Sequence, residues 1–281
     1  MRALTLRGKP VLTSFVLWFL ASTFLYFIQP LQPFQSIAHR GASFYAPENT
    51  IASFQKALEL GFDFIELDVR LSKDEQLVVI HDKDVNRTTN SEGDVDHFTA
   101  AQLKMLDAGS WFSPDYKDEK IPLLEEVLTA FGGKIGLLIE VKSPESQPGI
   151  IDRLSQMLNE HVAGGLNADK IKVQSFNIKE MKNFHKQTPE IAAGILLNKP
   201  LDTLELASYR PFASFLSIHH QLISKSFIKH AQLLGFDVFS WTIKKQYQFQ
   251  MMQRLGVHGI ISNEEYREPS SNLTVLITPF L

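Results

Sequence analysis

From residue 36 onward, short apolar runs rich in β-branched residues alternate with amphipathic stretches that have helical spacing. This alternation is typical of the strand–helix units that build a parallel sheet. The apolar runs predict eight strands, at 36–40, 64–70, 134–142, 170–176, 191–197, 215–220, 238–243 and 259–262. Helices are predicted between them, for example at 49–60, 123–131, 150–162 and 224–235.

Eight parallel strands with intervening helices predict an α/β fold, a closed (β/α)8 TIM barrel of about 245 residues. An open, doubly wound sheet is the alternative. No G-x-G-x-x-G turn follows any of the predicted strands, which argues against a dinucleotide-binding sheet of that kind. The barrel is therefore the simpler prediction.

One further apolar run, at 77–82, follows the second predicted strand after only a few residues. A parallel crossover needs about a dozen residues or more, so this run is predicted to form an antiparallel hairpin with the strand before it. With the turn centred on Asp74 and Glu75, we expect Asp68 to lie opposite His81.

The segment 83–122 is polar and lacks strong periodicity, and it is predicted to be a small insertion that crosses the active face of the barrel. The barrel domain itself is predicted to span 36–269. Residues 1–35 are predicted to form a membrane anchor and linker before it. The apolar residues 270–281 form a C-terminal tail whose role the sequence leaves open.

The anchor prediction rests on residues 11–28, an uncharged apolar run of 18 residues that follows three basic residues. A helix of this length spans about 27 Å, enough to cross a hydrocarbon core. The positive-inside rule then leaves the N-terminus in the cytoplasm and exports the barrel to the periplasmic or extracellular side. The alternatives are a cleaved signal peptide, which would give a secreted protein, and a buried helix.

The composition of the chain excludes some kinds of site and argues against one class of partner. The chain has no cysteine, which excludes disulfides, thiolate metal sites and a cysteine nucleophile. Beyond residue 35 it carries 25 basic and 31 acidic residues. A net charge of −6 on this part argues against nucleic acid as a partner, because broad phosphate contacts require a basic surface.

Three carboxylates fall on predicted strands. Glu66 and Asp68 are two residues apart, so both project to the same face, and Glu140 ends another strand. Oxygen ligands of this kind suit a hard divalent cation, Mg²⁺ or Ca²⁺. The alternative is a set of salt bridges to the neighbouring cations Arg40, Arg70 and Lys142.

Other candidate groups lie at the same strand ends. His39 and Arg40 end the first strand, where a (β/α)8 enzyme keeps its chemistry, and Lys142 shares a face with Glu140. Together with His81 they predict an acid–base site that binds an anion. A lone histidine at such a position is more often a core or helix-capping residue.

Two further residues are candidates for the substrate pocket. Glu48 lies in the sequence PENT, whose Asn49 is predicted to cap the following helix, so a role in the site and a role in capping stand about even. Trp241 ends a late strand and is expected either to line the pocket or to belong to the core. No motif supports a role for His219 or His220.

The chain resembles the glycerophosphodiester phosphodiesterases, relatives of the phosphatidylinositol-specific phospholipases C. The motifs that carry the resemblance include AHRGASFYAPENT, FIELDVRLSKD, VVIHDKDVNRTTNSEGDV, LLIEVK, QSFN, FSWTI and GIISN, in the order of the family. The resemblance implies a (β/α)8 barrel with an insertion after the hairpin. It also implies a divalent cation on Glu66, Asp68 and Glu140, catalytic His39 and His81, and phosphate-binding Arg40 and Lys142.

Two positions depart from the pattern of the family. The last strand usually ends in Asp, where this chain has Asn263, and the hairpin turn commonly has Gly, where this chain has Glu75. Neither position is expected to touch a catalytic residue, so we expect the departures to affect loop structure more than activity.

The implied reaction is the metal-dependent hydrolysis of glycerophosphodiesters to sn-glycerol 3-phosphate and an alcohol, with the two histidines as acid and base. Whether the attacking group is a glycerol hydroxyl or water stays open. An alternative is lysophospholipase D activity on membrane lysophospholipids. A third hypothesis is a membrane-tethered protein that binds phosphodiesters without cleaving them. The sequence does not indicate the native cation, the head group or the oligomeric state.

Overall fold

The computed structural model describes residues 34–199 and 201–266. Within them, strands β1–β9 span Gln35–Ala38, Phe64–Leu71, Leu77–Val79, Gly136–Val141, Ile171–Ser175, Ala192–Leu197, Phe215–His219, Asp237–Ile243 and Gly259–Ser262. Helices α1–α8 span Ile51–Leu60, Ala100–Leu103, Leu124–Phe131, Ile150–Ala163, Ile178–Gln187, Thr203–Tyr209, Lys225–Leu233 and Gln246–Leu255.

Eight of the strands close into a parallel barrel. β1 pairs with β2, β2 with β4, and each later strand with the next as far as β9. β9 returns to pair with β1 in parallel, with Gln35 beside Gly259, so the sheet has no open edge there. The prediction of a (β/α)8 barrel is confirmed, and the eight predicted strands agree with the observed ones to within two residues at each end.

The amino-terminal end of the barrel interior is filled by aromatic rings. Phe64, Phe215 and Phe239 point inward, and the ammonium group of Lys172 lies 5.2–5.8 Å from their ring centroids. A Cβ on Gly194 would come within 2.1 Å of the Phe215 ring, so this position has to be glycine for the ring to fit. With this end packed, the interior opens at the carboxyl ends of the strands.

β3 pairs antiparallel with β2, as the short connection requires, but the predicted register is wrong by one residue. The backbone N–H of Ile80, rather than that of His81, donates to the Asp68 carbonyl at 3.0 Å. The cause is the loop Ser72–Gln76, which has five residues closed by a hydrogen bond between its ends, with Glu75 at φ 58°. Glu75 thus takes a left-handed backbone that glycine, the residue expected here from the family resemblance, adopts more readily.

The segment 83–122 contains α2 and a small hydrophobic cluster of its own, separate from the core outside the barrel. Side chains of the hairpin, Val78 and Ile80, pack there against Val85, Leu103 and Ile121. The cluster fixes the segment to the end of β3, next to the carboxyl ends of β1 and β2.

The compact unit that contains the barrel starts at Phe34. The predicted anchor at 11–28 and the tail at 270–281 lie outside the described residues. No helix in the described part of the chain combines the length and the apolar character that a membrane crossing needs.

Candidate active site

A cleft of about 150 Å³ opens at the carboxyl ends of the barrel strands. Seven of the predicted site residues line it: His39, Arg40, Glu66, His81, Glu140, Lys142 and Trp241. They share the cleft with Gln174, Phe176, Leu196, Thr242 and Ile261. The structure therefore brings together groups that lie more than 200 residues apart in the sequence.

The turn after β1 explains the sequence His-Arg-Gly. Arg40 has φ 57° and Gly41 has φ 77°, both in the left-handed region. This turn directs the Arg40 N–H to the Glu66 carboxylate at 2.8 Å. The carbonyl of Arg40 accepts a hydrogen bond from the backbone N–H of Asn49. A Cβ on Gly41 would lie 2.3 Å from the Ser53 hydroxyl, so only glycine fits here. The turn fixes one of the three carboxylates through backbone alone.

The three predicted carboxylates converge. The register of β2 and β4 places Asp68 beside Glu140, and Glu66 projects to the same face of β2. Oxygen atoms of all three lie within 4.8 Å of one another, and the residues are 1%, 1% and 8% exposed for Glu66, Asp68 and Glu140. The predicted convergence is confirmed, and the donor set consists of the hard oxygen ligands that Mg²⁺ and Ca²⁺ prefer.

The protonation of these carboxyl groups reflects their crowding. Burial, reinforced by the charge of Asp68, raises the pKa of Glu66 well above its ordinary value and raises that of Glu140. Burial acts in the same direction on Asp68, but Lys142 and Arg40 outweigh it and lower its pKa. Three negative charges are therefore unfavourable in this space without a further cation, which is what a metal-binding set requires.

Two of the three cations predicted as alternative salt-bridge partners, Arg40 and Lys142, do contact the carboxylates. The Lys142 Nζ lies 2.5 Å from Glu140 Oε1 and 3.6 Å from Asp68, and the Arg40 Nε lies 3.4 Å from Asp68. Arg70 instead donates to the carbonyl of His81 at 3.0 Å. Two cations against three carboxylates leave the third negative charge to be balanced by a proton or by a further cation, so salt bridges alone do not complete the site.

Asn49 has a role that the sequence did not reveal. Its side-chain amide donates to the Asp68 carboxylate at 2.9 Å and accepts from the Asp68 N–H. The predicted capping role is wrong, because Thr50 caps α1 by accepting from Ser53. With φ 56°, Asn49 adopts a backbone that asparagine tolerates better than most residues.

His39 contacts one of the two positions that depart from the family pattern. Its Nδ1 lies 2.7 Å from Asn263 Oδ1, so the expectation that this departure does not touch a predicted catalytic residue is wrong. An amide oxygen only accepts, so Nδ1 carries the hydrogen and Nε2 is left unprotonated in the neutral ring. Burial and the charge of Arg40 lower the pKa of His39 to about 4, which keeps the ring neutral near pH 7.

His81 is held by a carboxylate instead. Its Nδ1 lies 2.6 Å from Asp82 Oδ1, and Asp82 accepts from Arg87 Nε at 2.7 Å. Burial lowers the pKa of His81, against the opposing charge of Asp68. The two histidines thus differ in their partners: an amide for one, a carboxylate for the other.

The far side of the cleft is aromatic. The rings of Phe176 and Trp241 meet edge to face at 5.9 Å, and His219 packs behind Trp241 at 5.1 Å. His220 approaches the Trp241 carbonyl and does not line the cleft. Trp241 therefore lies in the pocket wall, as one of its two predicted alternatives has it.

Glu48, the other pocket candidate, does not line the cleft. It is nearly buried and accepts hydrogen bonds from Arg40 and from Arg87, each at 2.8 Å. It therefore acts on the site through Arg40.

Residues 39–265 match the Glycerophosphoryl diester phosphodiesterase family. YhdW of Bacillus subtilis is 41% identical over 230 residues, which cover 81% of this chain and 93% of the relative. A glycerophosphodiester phosphodiesterase of Caldanaerobacter subterraneus subsp. tengcongensis is 38% identical over the same length and coverage.

Solved structures show the same fold. A phosphodiesterase of Oleispira antarctica, in complex with the product sn-glycerol-3-phosphate, is 31% identical with a TM-score of 0.74. The match covers 82% of this chain and 92% of that one. The similarity therefore extends over the whole barrel together with its insertion.

Proposed function

The chain belongs to the glycerophosphoryl diester phosphodiesterase family and is a glycerophosphodiester phosphodiesterase, and on this premise we propose how its residues cleave the substrate and which substrate they take. The proposed reaction releases sn-glycerol 3-phosphate and an alcohol. The observation that carries it is the convergence of three buried carboxylates, two cations and two differently held histidines on one cleft.

Glu66, Asp68 and Glu140 would hold one divalent cation, Mg²⁺ or Ca²⁺. When bound, that ion supplies positive charge against the phosphoryl oxygens. The chain prepares this position through the Arg40 N–H, which orients Glu66, and through the Asn49 amide, which orients Asp68. Orienting groups of this kind are a recurring feature of metal sites.

Arg40 and Lys142 are the proposed phosphate ligands. Both line the cleft, and both now lie against carboxylates of the site. The Arg40 guanidinium can address two oxygens of a phosphate at once, whereas Lys142 supplies a single compact charge. Together they offset the charge that builds on the phosphoryl oxygens in the transition state.

The two histidines divide the proton transfers in this proposal. His39, neutral and with Nε2 unprotonated, takes the proton from the attacking oxygen. His81 gives a proton to the leaving alcohol; burial lowers its pKa, and Asp82 offsets part of that effect by favouring the imidazolium form. The attacking oxygen belongs either to water, which gives sn-glycerol 3-phosphate directly, or to a glycerol hydroxyl, which gives a cyclic phosphate that a water then opens to the same product.

Asn263→Asp is expected to move the acid limb of the pH profile of kcat/KM to higher pH, by about 1 to 3 units. A carboxylate beside Nδ1 favours the imidazolium and raises the pKa of His39, so the base is lost to protonation at a higher pH. Initial rates of glycerophosphocholine cleavage between pH 4 and 9 measure the shift. Asn263→Ala, which adds no charge, is the control and should lower kcat without raising this limb. An unchanged acid limb in the aspartate variant would remove His39 from the role of base.

The proposed substrates are soluble diesters such as glycerophosphocholine. The polar part of the cleft lining, which includes Arg40 and Lys142, suits the charged glycerophosphate group. Turnover of glycerophosphocholine is expected to exceed that of lysophosphatidylcholine, whether or not residues 1–35 are present. Faster turnover of the lysophospholipid by the full chain would instead support lysophospholipase D activity.

The location of the barrel is a separate proposal that rests on the sequence. We propose that residues 11–28 anchor the chain in a membrane and place the barrel on the periplasmic or extracellular side, because the basic residues precede the apolar run. Protease added to cells stripped of everything outside the cytoplasmic membrane should then cleave the barrel; full protection of the barrel until that membrane is lysed would contradict the proposal.

A further inference from the structure

Arg87 joins two carboxylates that belong to different loops. It comes from the insertion 83–122, and its Nη1 and Nη2 donate to the two oxygens of Glu48 at 2.8 Å each. Its Nε donates to Asp82 at 2.7 Å. The guanidinium thus uses two edges at once, which a lysine ammonium cannot reproduce.

Each of these carboxylates holds a different group of the cleft. Glu48 accepts from Arg40 Nη1 at 2.8 Å, and Asp82 contacts His81 Nδ1 at 2.6 Å. Arg87 itself does not line the cleft. A single side chain outside the cleft is therefore one hydrogen-bonded step removed from both a proposed phosphate ligand and a proposed proton donor.

We propose that Arg87 is a positioning residue through which the insertion aligns His81 with Arg40. This inference rests on the function proposed above, since it takes His81 and Arg40 as working groups of the cleavage reaction. It gives the insertion a task in the chemistry: the barrel strands supply His39, Arg40 and the carboxylates, and the insertion fixes the group that follows β3.

The charged groups around His81 and Arg40 explain why the contacts of Arg87 matter. His81 is faced by Asp82 on its own loop, Asp68 on β2, Arg40 on the loop after β1 and Lys142 at the end of β4. Without Arg87, Asp82 loses the donor that fixes its orientation. Glu48 is left with Arg40 as its remaining cation, which draws that guanidinium toward the loop.

The variants Arg87→Lys and Arg87→Ala test the proposal on the full chain. Both are expected to lower kcat for glycerophosphocholine by about 10- to 100-fold, the usual effect of removing a group that orients a catalytic side chain. Lysine keeps the charge without the two-edged contact, so it should not restore the rate. Lys83→Ala is the matched control: it removes an exposed ion pair with Asp94 in the same insertion and should keep full activity.

A double-mutant cycle separates positioning from a general loss of stability. If Arg87 acts through Asp82, then Arg87→Lys in the Asp82→Asn background should cost less than threefold in kcat, because the same interaction is already lost. Independent, additive losses in kcat, or an Arg87→Lys enzyme with more than half of the wild-type kcat, would overturn the proposal.

A spectroscopic readout decides the point independently of turnover. The His81 Nδ1 proton, hydrogen-bonded to Asp82, should give a downfield ¹H NMR signal that is absent in His81→Ala. The signal should be lost or shifted in Arg87→Lys and unchanged in Lys83→Ala. An unchanged signal in Arg87→Lys would overturn the inference. Failure of the wild type to release sn-glycerol 3-phosphate would count against the proposed function, and the NMR comparison would still decide the role of Arg87.

Discussion

His39→Ala and His81→Ala should each lower kcat for glycerophosphocholine by about 100- to 10,000-fold, the range that general acid–base catalysis contributes. Both rings line the cleft, and each has Nδ1 engaged by a neighbour, so Nε2 is the nitrogen available to the substrate. Neither histidine is one of the three proposed metal ligands, so both variants should still bind the divalent cation. The measurement is single-substrate kinetics with sn-glycerol 3-phosphate as the detected product.

His97→Ala is the control for these variants. His97 is exposed in the insertion and lies away from the cleft, so its removal should leave kcat and the melting temperature unchanged. Near-full activity in either the His39 or the His81 variant would contradict the assignment of proton transfers.

Glu140→Gln should lower the affinity for Mg²⁺ or Ca²⁺ by at least about 100-fold, since even the groups that orient metal ligands contribute 10- to 100-fold. Glu66→Gln should do the same. The amide keeps the shape of the carboxylate and removes its charge. Titration calorimetry on chelator-treated protein measures the affinity, and the shift in melting temperature on adding the cation provides a second readout.

The metal-free protein offers a further comparison. Burial raises the pKa of Glu66, so the folded state binds its proton more tightly than the unfolded chain. Glu66 therefore lowers the free energy of unfolding as the pH rises above the ordinary pKa of a glutamate. In Glu66→Gln, the free energy of unfolding should fall less over the same pH range. Glu59→Gln, which changes an exposed carboxylate on α1, serves as the control. Unchanged cation affinity in both cleft variants would contradict the proposed ligand set.

The fold could be predicted because the barrel depends on regular patterns. Strands such as β2 and β4 are buried along their whole length, and their apolar runs are interrupted only by Glu66, Asp68, Arg70 and Glu140. The hairpin register could not be predicted in the same way, because it depends on how many residues the turn uses. One additional residue, with Glu75 in a left-handed backbone, moved the partner of Asp68 from His81 to Ile80.

The part of the site that lies on the strands could be predicted from strand geometry. Glu66 and Asp68 share a face by their spacing, and Glu140 joins them through the parallel register. The contact of Asn49 with Asp68 joins a loop to β2, and that of Arg87 with Glu48 joins two loops. Loops have no periodicity, and no sequence rule specifies which of their residues meet. These contacts depend on the tertiary arrangement alone.

The contact of Asn263 with His39 is an intermediate case. A closed barrel makes the first and last strands neighbours, and both residues directly follow these strands. Closure of the predicted barrel was therefore sufficient to place Asn263 beside His39. The departure from the family pattern at Asn263 therefore affects the surroundings of His39 and not loop structure alone.

The most direct test of the central claim is the release of sn-glycerol 3-phosphate from glycerophosphocholine by the full chain. It is measured after chelation and again after Mg²⁺ or Ca²⁺ is added back. We predict that chelation lowers the rate at least about 100-fold, that one of the two cations restores it, and that the same cation concentration fails to restore Glu140→Gln. Undiminished release in chelator, or full recovery of the Glu140→Gln enzyme, would contradict the account.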